Sequence, residues 1–191
     1  MKRLREFLLM DDHVCPWWLA YTFDNPLRRI LHPPEKILSG LVLPGMTALD
    51  IGCGMGHFTL GMARMAGGNG RVIALDLQAR MLERVRRRAE RDGLSGRITV
   101  HRGEAGSLDA RGAVDFCLAF WMVHEVPDQD AFFRAVHALL KPDGRFLVVE
   151  PKIHTSAADL ERSLRRASGA GLSVIARPAI RMSRTALLSP K

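Results

Sequence analysis

From Thr47 onward, short apolar runs alternate with amphipathic stretches. "TALDI" (47–51), Arg71–Leu77, Arg97–Gly103, Ala113–Phe120 and Arg145–Glu150 are almost continuously apolar, without the every-other-residue polarity of a half-exposed strand. Such runs predict strands buried on both faces, as in a parallel sheet covered by helices. Between them, His57–Ala66, Gln78–Asp92, Asp128–Leu140 and Ala157–Ala167 follow a helical period. In the second of these, Leu82, Val85 and Ala89 form the apolar stripe, and Glu83 and Arg87 stand at i,i+4 on the solvated side. The third begins on acids suited to a helix N-terminus and stops at the turn signal "KPDG".

Near the end of the chain the pattern changes. Leu172–Arg177 and Arg184–Ser189 are extended runs separated by a handful of residues. Two strands that close can pair only antiparallel, because a parallel crossover needs a dozen residues or more. The expected fold class is therefore α/β: a doubly wound, mostly parallel sheet of seven strands ending in an antiparallel hairpin. Residues 1–45, with five prolines, do not share this rhythm. They are expected to be a helical or irregular extension ahead of one domain spanning 46–191.

Length and composition support a single domain: 191 residues, 47% hydrophobic and 25% charged. The apolar stretch near the start, Phe7–Met10, is too short for a signal-peptide core, and the longest apolar run, Phe116–Val123, is far below spanning length. A cytoplasmic location without a membrane span is expected. The cysteines, Cys15, Cys53 and Cys117, are odd in number and lack metal-ligand spacing, which fits reduced thiols. The net charge is +8, and 23 of the 28 basic residues are arginine. That bias reads more simply as composition than as a dedicated nucleic-acid surface, although nucleic acid stays open as a partner.

The chemistry concentrates in "LDIGCGMG". Gly52, Gly54 and Gly56 alternate between a predicted strand and a predicted helix. A glycine bend there lets backbone N–H groups approach a ligand, and in open parallel sheets ligands bind beyond the carboxyl ends of the strands. The spacing is G-x-G-x-G, not the G-x-G-x-x-G of dinucleotide sites, so a dehydrogenase is remote. Asp50, two residues ahead, would repel a pyrophosphate and suit a ligand carrying positive charge. Asp76 ends the next strand, where a carboxylate can accept from both hydroxyls of a ribose; taken alone, it serves equally well as a helix cap. Glu104 follows the third strand, where it could accept from an adenine amine.

With these residues in order, the chain resembles the class I S-adenosylmethionine-dependent methyltransferases. "LDIGCGMG", "ALDL", "RGEA" and "LKPDGRFLVVE" look like successive motifs of that family, and the resemblance runs from about Met46 to Pro190. It implies S-adenosyl-L-methionine as cofactor. It also implies that Gly52, Gly54 and Gly56 approach the methionine part with Asp50 nearby, that Asp76 holds the ribose, that Leu77 packs on adenine, and that Glu104 and Ala105 lie at its rim. "FWMVHEVPD" resembles the branch containing ubiquinone/menaquinone C-methyltransferases (methyltransferase type 11).

Methyl transfer from a sulfonium chiefly needs alignment and exclusion of water, plus a base when the acceptor loses a proton. His124, after the fourth strand and beside Glu125, is the candidate base, set against a role in capping or packing the loop. Phe120 and Trp121 are expected to shape the pocket, with Phe120 against the cofactor or, alternatively, simple core. Trp17, Trp18, Tyr21 and Phe23 cluster in the extension. They would serve as a lid, with Tyr21 as a second catalytic candidate, or as a flank-docked helix, or as a dimer contact. Cys15 suggests a thiophilic acceptor such as arsenite, but no second cysteine is placed to chelate. The histidines show no metal-ligand pairing, so no metal is expected. The expected function is methyl transfer to a small molecule by a monomer or homodimer. The alternatives are an RNA or protein methyltransferase, against which stands the lack of an N-P-P-[YFW] segment and of a Pro-Cys pair at the fourth strand, and a non-catalytic cofactor binder.

Overall fold

The computed structural model describes residues 26–103 and 113–191. Two short helices lead in, α1 (Pro26–Leu31) and α2 (Pro34–Ile37). The order is then β1 (Thr47–Ile51), α3 (His57–Ala66), β2 (Arg71–Asp76), α4 (Ala79–Arg91), β3 (Ile98–Arg102), β4 (Val114–Phe120), α5 (Gln129–Leu139), β5 (Leu140–Pro151), α6 (Ala157–Gly169), β6 (Leu172–Ala176) and β7 (Ser183–Pro190). The strands form one sheet in the order β3-β2-β1-β4-β5-β7-β6. All pairs from β3 across to β5 are parallel, and β7 runs antiparallel to both β5 and β6.

The apolar runs are split between the two faces by the two-residue period of a strand. On β4, Cys117 and Ala119 join a core with Phe132, Phe133 and Val136 of α5 and Leu160 and Leu164 of α6. Phe116, Leu118 and Phe120 point the other way, toward Phe58, Leu60 and Met62 of α3. Helix α4 adds Leu82 and Val85 on that second side, against Ala74 of β2. Its outer surface is charged, and Arg87 Nε donates to Glu83 Oε1 at 2.8 Å.

Local chemistry sets the helix starts. Asp128 caps α5 by accepting from the Ala131 N–H at 2.9 Å, and Ser156 and Asp159 form a reciprocal capping box on α6. Gly61, in the middle of α3, is the seat for α2: a β-carbon there would overlap Pro34. Leu38 and Val42, just beyond α2, are buried in the same core as Phe58.

The structure departs from the sequence pattern at the start of β5. Strand β5 begins at Leu140, opposite Val114, and "KPDG" is an irregularity within the strand: the next β4 partner is Phe116, against Arg145. The helix stops there as expected, but the chain enters the sheet before the turn is complete. At the far edge, β7 lies inside β6. There β7 is buried at six of its eight positions, whereas only Leu172 of β6 is.

The sheet order reverses between β1 and β4, whose chain continuations lead to opposite faces. This is the switch point at which open α/β sheets hold ligands, beyond the carboxyl ends of the strands.

Candidate active site

At that point β1 gives way to the glycine bend. The N–H groups of Gly52 and Cys53 donate to the Leu75 carbonyl of β2 at 2.8 and 3.0 Å, which fastens the bend to the neighbouring strand. Gly52, Gly54 and Gly56 all have left-handed backbone, with φ of 69°, 53° and 83°. Their surroundings differ. A β-carbon on Gly52 would stand 3.0 Å from Met122 Cγ, and one on Gly56 would stand 3.1 Å from Val85 Cγ2, whereas one on Gly54 would meet nothing within 4 Å. The outer two glycines thus answer to packing within the protein. The middle one faces open space. Gly56 is also the N-cap of α3 and supplies no side-chain cap.

Asp76 closes the other side of the bend. Its Oδ2 accepts from the Gly54 N–H at 2.9 Å, and its Oδ1 accepts from the Gln78 N–H at 2.9 Å. The side chain is buried, and burial raises its pKa above the ordinary aspartate value against the pull of these backbone donors. One oxygen thus steadies the bend, and the other holds the Gln78 N–H just ahead of α4, whose N-cap is Gln78 and not Asp76. Leu77 follows, half-buried, and its Cδ2 stands 3.6 Å from the position a β-carbon of Gly103 would take. Glu104 and Ala105 lie outside the described residues.

Asp50 is 2% exposed and accepts from the Thr59 hydroxyl at 2.5 Å. It lies beneath the bend, tying β1 to α3. Cys53 is buried in the bend; burial, reinforced by the negative charges of Asp50 and Asp76, raises its pKa well above the ordinary value and keeps it a neutral thiol. Cys117 is held up likewise by burial in the core. Cys15 lies outside the described residues.

The second wall comes from β4. Phe120 is 6% exposed and packs on Phe58 at a centroid distance of 4.4 Å and on His32 at 5.1 Å, so its ring belongs to the core. Trp121 turns the chain out of the strand with a φ of 61°, and its indole N–H donates to Ser183 Oγ at 3.0 Å. Met122 then closes over Gly52, and a single helical turn, Val123–Glu125, presents His124.

This turn rests on a residue that the sequence pattern did not single out. Glu150, 2% exposed near the end of β5, accepts from the N–H groups of Val123 and His124 at 3.0 Å each. It also accepts from His124 Nδ1 at 2.6 Å and from the Thr155 hydroxyl at 3.2 Å. The only signal in the sequence was an acid closing an apolar strand at the sheet's carboxyl edge. Burial of the His124 ring disfavours its charged form, but the hydrogen bond and charge of Glu150, with Glu125 behind, outweigh this and raise its pKa above the usual histidine value. Glu125 Oε1 stands 3.9 Å from His124 Nε2, and the His154 ring stacks on His124 at 5.9 Å. Tyr21 and the aromatic cluster around it lie outside the described residues. Among the described residues, no group of three His, Cys, Asp or Glu side chains is placed to hold a metal ion.

A family model described as a methyltransferase domain matches residues 43–172. A demethylmenaquinone methyltransferase of Lactobacillus johnsonii is 31% identical over 110 residues, covering 57% of this chain and 45% of that protein. A ubiquinone biosynthesis O-methyltransferase of Xanthomonas euvesicatoria is 31% identical over 134 residues, covering 69% and 54%. The chain thus spans about half the length of these curated relatives. A SAM-dependent methyltransferase from Aquifex aeolicus superposes with a TM-score of 0.81 at 22% identity, over 92% of this chain and 98% of that one, which shows a shared fold.

Proposed function

Since the chain belongs to the methyltransferase-domain family, we propose that it transfers a methyl group from S-adenosylmethionine to a small molecule by in-line displacement. The observation that carries this reading is the meeting of Asp76 with Gly54: a buried carboxylate against a glycine whose side-chain position is open space. Of the roughly four acceptor positions on the Asp76 carboxylate, backbone N–H groups of Gly54, Gln78 and Leu77 engage three and leave room for a hydroxyl. That pattern fits a ribose diol. In this reading Gly52, Gly54 and Gly56 line the methionine part, Leu77 packs on adenine, and Glu104 and Ala105 form its rim. Asp50 acts from beneath, through Thr59, and Phe120 stiffens the wall behind Trp121.

The cofactor brings an already activated methyl group on a sulfonium, so the protein's task is alignment and the acceptor's proton. With Nδ1 donating to Glu150, Nε2 is the His124 atom left to take that proton. The raised pKa makes the ring a stronger base and confines its free-base form to higher pH. Tyr21 and the aromatic segment are assigned to the acceptor side. A small acceptor is supported by the names of the relatives, which concern demethylmenaquinone and ubiquinone biosynthesis.

The test is isothermal titration of S-adenosylmethionine into the wild type and Asp76→Ala, followed by methyl release with a panel of small phenols and quinols. Binding lost in Asp76→Ala together with turnover on a panel member supports the reading. Unchanged binding in Asp76→Ala sinks it. Tight binding without turnover favours the non-catalytic alternative. Salt-sensitive RNA binding through the exposed arginines of α4 favours the polymer-acting one.

A further inference from the structure

Beside His124, two loops meet at the carboxyl end of the sheet. Lys152, Ile153 and His154 follow β5, Arg181 and Met182 precede β7, and the Lys152 N–H donates to the Met182 carbonyl at 3.0 Å. Because His154 stacks on His124, this paired tip forms one rim of the candidate site. At its end Ile153 is 85% exposed and Met182 54%. Met182 holds a left-handed backbone, φ 58°, which a β-carbon disfavours. Lys152 and Arg181 are exposed on the same tip, and neither side chain pairs with a carboxylate among the described residues. Of the neighbouring acids, Glu150 is engaged by His124, Val123 and Thr155, Asp159 by Ser156 and Arg162, and Glu161 by Arg177 at 2.8 Å.

We propose that this rim docks on the surface of an anionic lipid bilayer. Ile153 and Met182 enter the interface, and Lys152 and Arg181 meet the lipid anions. Apolar tips flanked by unpaired cations are what a bilayer interface selects: the side chains leave water while the charges stay at headgroup level. A folded protein partner needs roughly 800 Å² per side, far more than a pair of loop tips offers. A nucleic acid would want several free stacking platforms, and the one ring of this tip, His154, is already stacked on His124. Docked this way, the turn that carries His124 faces the lipid. No helix among the described residues is long and apolar enough to cross a membrane, so the contact is peripheral.

Vesicle co-sedimentation tests this without methyl transfer, so its failure and that of the catalytic reading are distinguishable. Wild type is expected to sediment with phosphatidylcholine vesicles containing phosphatidylglycerol and not with phosphatidylcholine alone. Ile153→Ser with Met182→Asn, at exposed positions where asparagine also suits the left-handed backbone, is expected to weaken partition at least about tenfold. Lys152→Glu with Arg181→Glu is expected to abolish it. Arg86→Glu with Arg87→Glu on α4 makes the same charge change away from the rim and is expected to retain most of it. The proposal is overturned if wild type fails to partition or if the α4 variant loses as much as the rim variants. It is also overturned if the rim variants only dissolve a dimer in sedimentation velocity.

Discussion

Glu150 grips His124 twice, through the backbone N–H at 3.0 Å and through ring Nδ1 at 2.6 Å. A single buried carboxylate therefore sets both where the turn after β4 sits and which ring nitrogen faces the site. Glu150→Gln keeps the shape but turns part of the acceptor into a donor facing other donors. It is expected to lower stability by about 1–3 kcal/mol and to lower the His124 pKa, read by NMR titration of the imidazole. An unmoved pKa would mean that Glu150 only props the loop.

The same pair gives stability a pH dependence. The folded-state pKa of His124 lies above its unfolded value, so the increment is fully present below the unfolded pKa. It is lost as pH rises through the folded value. Thermal melts across the neutral range should show this loss in wild type and a flatter profile in His124→Gln.

Asp76→Ala removes a charged acceptor from the backbone N–H groups of Gly54, Gln78 and Leu77. Affinity for S-adenosylmethionine is expected to fall by about ten- to a hundredfold, with Asp76→Asn milder. Calorimetry measures both. Because the Asp76 carboxyl titrates above the ordinary aspartate range, wild-type affinity should also fall as pH drops through that raised value.

The glycines can be separated by substitution. Gly52→Ala meets Met122 as well as left-handed strain, whereas Gly54→Ala meets only the strain. Gly54→Ala should cost about 1–2 kcal/mol of stability, with a disproportionate loss of cofactor affinity. Gly52→Ala should cost more stability and should shift the His124 turn through Met122. Melting temperatures and titrations on the two variants distinguish these outcomes.

Gly61→Ala tests the docking of α2. A methyl group there overlaps Pro34, and overpacking of this kind costs about 1–3 kcal/mol. Denaturant titration should show the loss, and pairing Gly61→Ala with Pro34→Gly should recover part of it.

Much of this was legible in the chain. Continuous apolar runs announced strands covered on both faces, and the spacing of Gly52, Gly54 and Gly56 with Asp76 marked the bend and its carboxylate. What stayed hidden was whatever depends on a distant partner. The acid ending "RFLVVE" gives no sign of the turn it will hold, because Val123 and His124 reach Glu150 only through the pairing of β4 with β5. Gly61 reads as a flaw in a helix until Pro34 lies against it. Asp50 reads as a carboxylate for a positively charged ligand and gives no sign of the Thr59 hydroxyl, in the first turn of α3, that it accepts from. The inner place of β7 lies in its pairing with both β5 and β6, while sequence proximity ties it only to β6.

That inner place bears on how the molecule is made. The hydrogen-bonding edge of β5 from Phe146 to Pro151 is met only by Ser183–Leu188. On the ribosome it waits as an open edge until more than thirty further residues have been synthesised. During that wait an apolar strand edge is available to neighbouring nascent chains. Incompletely folded chains are therefore expected to aggregate through this edge.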